Sequence, residues 1–102
     1  MKYFIIEATS RSNVVLAEDA LEKAKKDHLA HLQKGVDEGW ILMFGPKVNT
    51  GGGFIIIKAN SVENVENFLS IDSLKIIGVH EYRITEFKLL EGQHFIKDWF
   101  NV

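Results

Sequence analysis

Residues 17–46, AEDALEKAKKDHLAHLQKGVDEGWILMFGP, decide the fold. Ala17, Leu21, Ala24, His28, Leu32, Gly35 and Val36 recur at helical spacing and form one stripe, while Lys23, Lys26, Gln33 and Asp37 lie away from its centre. The pattern predicts a helix over 17–38. Gly39 suits the left-handed backbone that ends a helix. Trp40-Ile41-Leu42-Met43-Phe44 then runs into Gly45-Pro46, which predicts a strand over 40–46 closed by the proline. Upstream, residues 2–9 are rich in aromatic and β-branched types and read as a strand, followed by the polar loop Ser10-Arg11-Ser12-Asn13. Downstream, Asn49-Thr50-Gly51-Gly52-Gly53 is a flexible hairpin connection into a third strand, 54–59. Ser61 can cap a short amphipathic helix carrying Val62, Val65, Phe68 and Leu69. Residues 78–89 alternate through Val79, Glu81, Arg83, Thr85 and Phe87 as a fourth strand. The order is βαββαβ. It predicts an α+β, ferredoxin-like protomer: an antiparallel sheet with two helices on one face.

Two helices cover one face of such a sheet, and the other face of a monomer is ordinarily polar. Yet Tyr3-Phe4-Ile5-Ile6, Trp40 through Phe44, and Phe54-Ile55-Ile56-Ile57 are apolar at consecutive positions, so both faces are greasy. The helix-free face therefore needs a cover. A second copy packed sheet to sheet is the simplest, which predicts a homodimer. The alternative cover is the segment 89–102, whose Phe95, Ile96, Trp99 and Phe100 can pack on the domain or on the partner subunit.

At 102 residues the chain is one domain, large enough to bury a core without staples. With no Cys, disulfides, thiolate metal sites and a Cys nucleophile are excluded. A net charge of −2, with no basic cluster beyond Lys23, Lys25 and Lys26, argues against nucleic acid. No apolar run approaches a membrane span, and the first residues do not resemble a signal peptide. The expectation is a cytoplasmic protein whose partners are a small-molecule ligand and its own second copy.

His28 stands out chemically, because a titratable ring on an apolar stripe needs a partner to offset its desolvation. Asp72, after the second helical segment, is the candidate acid. It reads either as a turn-former accepting nearby amides or as the group that orients His28. His31 follows His28 by three residues and can share its helix face, at a pocket mouth or simply solvated. His-x-x-His alone does not make a metal site, and neither His80 nor Asp72 is fixed by spacing as a third ligand, so no metal is expected. Gly51-Gly52-Gly53 lacks the Lys-Ser/Thr of a phosphate loop and leads into a strand, not a helix. Gly45 and Pro46 end a strand where a small residue leaves room for a ligand. Ser10, Arg11 and Ser12 follow strand one near a helix start that favours an anion.

His28-Leu29, Leu32, Gly39, the apolar strand into Gly45-Pro46, the Gly-rich turn, Ser61 opening a helix, and Asp72 resemble the YciI-like (YCII-related) family of the dimeric α/β-barrel superfamily. The resemblance spans residues 1–88 and leaves 89–102 as a C-terminal extension. It implies a dimer whose sheets face each other and an active site with a His and an Asp, which fall on His28 and Asp72. The family usually has Pro after that Asp, where Ser73 stands here, and often Arg three residues before the His, where Lys25 stands. Those departures imply a carboxylate aimed differently and a weaker anion contact. One branch of the family is associated with dehydrochlorination of hydroxylated aromatics, and muconolactone isomerases share the superfamily fold. The expected function is cofactor-free acid/base chemistry by a His/Asp pair, an isomerisation, elimination or hydrolysis, on a small cyclic or aromatic metabolite. Ser10, Arg11, His31, Gly45 and Pro46 would contact substrate. A non-catalytic dimeric binding protein and an antibiotic-monooxygenase-like protein are the alternatives.

Overall fold

Alternation along the first strand sets the layers. In β1 (Lys2–Ser10), Phe4, Ile6 and Ala8 are buried, while Tyr3, Ile5 and Glu7 point to the opposite face. A computed structural model describes residues 1–11 and 14–101. Ser12 and Asn13, in the expected polar loop, lie outside the described residues, and with them the anion contact expected at Ser12.

The chain continues through α1 (Glu18–Asp37), β2 (Ile41–Pro46), β3 (Gly53–Ala59), α2 (Val62–Ser70), α3 (Ser73–Ile76) and β4 (His80–Phe87). The strands form one antiparallel sheet in the order β2-β3-β1-β4. Leu32 of α1 and Val65 and Leu69 of α2 share a core with Phe4, Ile6, Ile55 and Ile57, so both long helices cover the same face. This is the expected ferredoxin-like α+β plan. The short α3, which the sequence pattern did not separate from its surroundings, starts at Asp72 and leads into β4.

Two local features bring α1 close to β2. Gly35 has no side chain where a Cβ would come within 2.6 Å of Ile41 Cδ1, so the helix can approach Ile41 closely. Gly39, at φ 85°, makes the left-handed exit from the helix. In β2, Ile41 pairs with Ile57 but Met43 pairs with Ile56, so one extra residue bulges the strand at Leu42. The bulge returns Phe44 to the helix side, opposite Ile55.

The C-terminal extension packs on its own domain. A 3₁₀ turn (His94–Ile96) leads into α4 (Lys97–Phe100). The Tyr3 hydroxyl donates to the Phe100 carbonyl at 2.7 Å, Lys58 Nζ donates to the Trp99 carbonyl at 2.9 Å, and the Trp99 indole donates to the Gly39 carbonyl at 2.9 Å. Phe100 is buried against the Tyr3 and Phe87 rings. The extension covers the Tyr3–Lys58–Phe87 end of the helix-free face. Met43 and Phe54, further along that face, stay exposed.

Candidate active site

The site forms where α1, the α2–α3 junction and β4 meet. His28 projects from the inner side of α1 and its side chain is 14% exposed. Asp72 stands at the N-cap of α3 and is fully buried. His28 Nδ1 and Asp72 Oδ1 are 2.6 Å apart, a short bond in which the ring N–H donates to the carboxylate. Asp72 Oδ2 accepts from the Tyr82 hydroxyl at 2.7 Å and from the Lys75 amide at 3.3 Å. The turn-former and the partner of His28 are thus one residue: one oxygen caps α3 and the other faces the imidazole.

Ser73, which stands where the family usually has Pro, does not turn the carboxylate away. Its hydroxyl donates to the Ala24 carbonyl of α1 at 2.5 Å, one helical turn before His28, and ties the two elements together. With Ser73 in this position the carboxylate is aimed at His28.

Burial pushes the Asp72 carboxyl up, but the bonds from His28 and Tyr82, the His28 charge and the Lys75 amide outweigh it and hold the carboxyl below its ordinary range. Burial and then the bond to Asp72 drive the Tyr82 phenol far above its usual range, so it stays a donor. His80, two residues before Tyr82 on the same face of β4, packs edge-on to the His28 ring at 5.4 Å between centroids. Its Nδ1 is buried without a hydrogen-bond partner among the described residues. Burial first, then the His28 charge, lower its pKa against the opposing pull of Asp72, so the ring is neutral near pH 7.

His28, His80 and Tyr82 line a cavity of about 260 Å³ between α1 and the sheet, walled by Leu29, Leu32, Phe44 and Ile55, with Asp72 buried behind His28. Gly45, Pro46, Gly52 and Gly53 border it, and Lys25 is the cation on its lining. Gly52 is obligatory here: at φ 71° its Cβ would lie 2.0 Å from the Ala8 carbonyl oxygen, so no side chain fits between the hairpin and β1. The volume suits a single-ring compound with few polar groups.

Of the residues expected from sequence, the structure brings together His28, Asp72, Gly45 and Pro46. It does not bring in His31, whose Nε2 bonds the Phe68 carbonyl at 2.8 Å and whose ring stacks on Phe68 in a separate groove beside Trp40. Arg11 pairs with Glu81 at the end of the sheet, and Ser10 packs beside Gly51; neither lines the cavity. The second ring at the site is His80, not His31. His28, Asp72 and His80 offer donor atoms within 4.8 Å of one another, the spread of a two-His, one-carboxylate metal set. Both Asp72 oxygens and His28 Nδ1, however, are already engaged in hydrogen bonds, which fits an orienting pair better than a chelate. Sequence spacing offers His80 only as an unfixed third metal ligand and does not single out Tyr82, because the β4 alternation through Val79, Glu81, Arg83, Thr85 and Phe87 follows the other face. The period-2 spacing of His80 and Tyr82, polar residues in phase with Ile84, was the available signal.

A four-stranded antiparallel sheet with both long helices on one face, and a cavity between helix and sheet, is a ferredoxin-like α+β protomer. The chain belongs to the YCII-related family, whose domain matches residues 1–88. Among solved structures it resembles 5-chloro-2-hydroxyhydroquinone dehydrochlorinase from Burkholderia phenoliruptrix AC1100, in complex with 2,5-dihydroxybenzoquinone. The two are 21% identical over 84% of this chain and 93% of the other, with a TM-score of 0.63. It also resembles muconolactone isomerase, 15% identical over 90% of this chain and 95% of the other, with a TM-score of 0.76. At these identities the likeness is one of fold. No curated protein matches the chain.

Proposed function

We propose that the protein is a small cofactor-independent enzyme that moves a proton on a single-ring metabolite, in an isomerisation or an elimination. The observation that carries this reading is the buried His28–Asp72 bond at 2.6 Å on the wall of an apolar cavity. With Nδ1–H held by the carboxylate, the Nε2 lone pair of His28 is left to take a proton from substrate. The carboxylate offsets the charge the ring then carries. In an isomerisation the proton returns to a second carbon of the ring; in an elimination a leaving group departs with its electron pair. The relatives act on substrates of that kind: one removes chloride from a chlorinated hydroxyhydroquinone and the other isomerises a lactone.

The working form is a homodimer in this reading. Met43 and Phe54 remain exposed on the helix-free face beside the half-buried Ile5 and Ile56, and a second sheet would cover them.

The test is a screen of chlorinated hydroxyhydroquinones, hydroxyquinones and unsaturated lactones by ultraviolet absorbance, with His28→Gln as control. Turnover lost in His28→Gln with the fold intact supports the enzyme. Tight binding of such a ring with no turnover favours a binding protein. Near one zinc or iron per chain, in protein purified without a His tag, would replace the acid/base reading with a metal one.

A further inference from the structure

We propose that His80 is a second catalytic group, whose neutral ring holds the substrate's carbonyl oxygen while His28 moves the proton on the neighbouring carbon. The proposal rests on the proposed function of the His28–Asp72 pair and narrows its substrate to a ring whose transferred hydrogen lies next to a carbonyl.

The first argument is the missing partner. His28 is held by Asp72, and His31 by the Phe68 carbonyl. The His80 side chain makes no hydrogen bond among the described residues, and its Nδ1 is buried with no described group to bond. A buried polar atom without a partner is rare and costly, and it concentrates at sites where a ligand or water supplies the bond. Packing alone would favour an apolar side chain at this position, because Leu74, Ala8 and Ile55 line the same cavity.

The second argument is placement. His80 lines the cavity with its ring edge-on to His28, and the two offer ring nitrogens within 4.8 Å of each other. The groups facing His80 are His28 and Lys25 from α1, Asp72 from the α2–α3 junction and Tyr82 from its own strand. Burial in the cavity wall favours its neutral ring, which offers one N–H and one lone pair.

The step balances without an oxidant. The C–H bond breaks to His28 Nε2, its electron pair becomes a ring double bond, and the carbonyl π pair moves onto oxygen. His80 donates its N–H to that oxygen and keeps the proton. Return of the proton from His28 to another carbon completes an isomerisation, and departure of halide from the neighbouring carbon completes an elimination. A preorganised donor at the oxygen where charge develops is a large contributor to such steps.

The test uses 4-nitrophenol, a stable mimic of the enolate, followed by nitrogen-15 NMR of the imidazole rings. In the wild type the probe is expected to shift both the His28 and the His80 ring signals. His80→Leu is expected to bind it about tenfold more weakly, the loss of one hydrogen bond to a charged oxygen, while melting at or above the wild-type temperature. His80→Gln, which restores a donor, recovers part of the affinity. A His80 that kept the fold together would show the opposite, a lower melting temperature with unchanged affinity, and would overturn the proposal. Signals that move at His28 but not at His80 also overturn it and leave the His28–Asp72 reading standing. If neither ring responds at millimolar probe, both readings fall. Should His80→Leu not fold, the wild-type ring response and the His80→Gln titration decide the matter.

Discussion

Replacing Asp72 tests the centre of the molecule twice, once as structure and once as chemistry. The carboxylate is fully buried and accepts from an imidazole at 2.6 Å, a phenol at 2.7 Å and an amide at 3.3 Å. Asp72→Ala strands three donors, each worth about 1–3 kcal/mol when left unpaired in the interior. Removal of the carboxylate's own desolvation offsets part of that sum, which leaves a net loss of about 3–5 kcal/mol, as for other broken buried pairs. For a domain of this length each kcal/mol moves the melting temperature by about 4–8 °C, so Asp72→Ala falls by tens of degrees or does not fold.

Asp72→Asn separates the two roles. Its single oxygen can still serve Tyr82 and Lys75, which share Oδ2, so the stability loss is only about 1–2 kcal/mol. Its amide nitrogen then replaces Oδ1 and faces His28 Nδ1 donor to donor. The conflict is relieved when the His28 proton moves to Nε2, which removes the lone pair from the cavity. Reversal of a catalytic tautomer in this way costs activity on the order of 10⁴-fold. Thermal melts by circular dichroism read the first effect, and long-range proton–nitrogen NMR of the imidazole reads the second. An Asp72→Asn protein whose His28 keeps its proton on Nδ1, or an Asp72→Ala protein that melts with the wild type, would refute the reasoning.

Two further outcomes follow from the same structure. Sedimentation at micromolar concentration is expected to give about twice 11.6 kDa, with Ile56→Lys on the helix-free face returning the mass to a monomer; a wild-type monomer would mean that the C-terminal extension is cover enough. Stability is expected to fall in two stages as pH drops. His80 binds its proton less readily in the folded chain than its ordinary value of 6.5, so unfolding gains from about that pH downward, and Asp72, held below its ordinary 3.8, adds a second loss as pH passes through its folded value. Urea midpoints across pH 3–8 measure both stages, and His80→Leu should erase the first alone.

The fold was legible because hydrophobic periodicity is a local signal and this chain carries it cleanly. The stripe from Leu21 to Val36, the Gly39 exit and the three apolar strands each fixed one element, and their order left few topologies. What escaped was whatever depended on distance in space. The bulge at Leu42 changes which β2 residues face the helices, and no residue pattern within 40–46 announces it. His31 shares a helix with His28, but three residues rotate it far enough to meet Phe68 in another groove. Arg11 finds Glu81 because antiparallel pairing of β1 with β4 brings those chain ends together.

The site was half legible for the same reason. His28 was conspicuous as a polar residue in an apolar stripe, whereas His80 and Tyr82 lie in a strand whose two faces both mix polar and apolar types, so neither face identified itself. Once β4 is placed beside β1, Tyr82 lies opposite Ala8 and His80 opposite Ser10, and the buried side of Ala8 fixes which face of β4 meets the helices. Alternation from Phe4 through Ile6 to Ala8 then carries directly into Ile84, Tyr82 and His80. A polar pair in phase with a buried aliphatic has to be satisfied there. Tyr82 is satisfied by Asp72, and His80 is not satisfied by any described residue. That difference between two neighbours on one strand face points to a bond supplied from outside the chain.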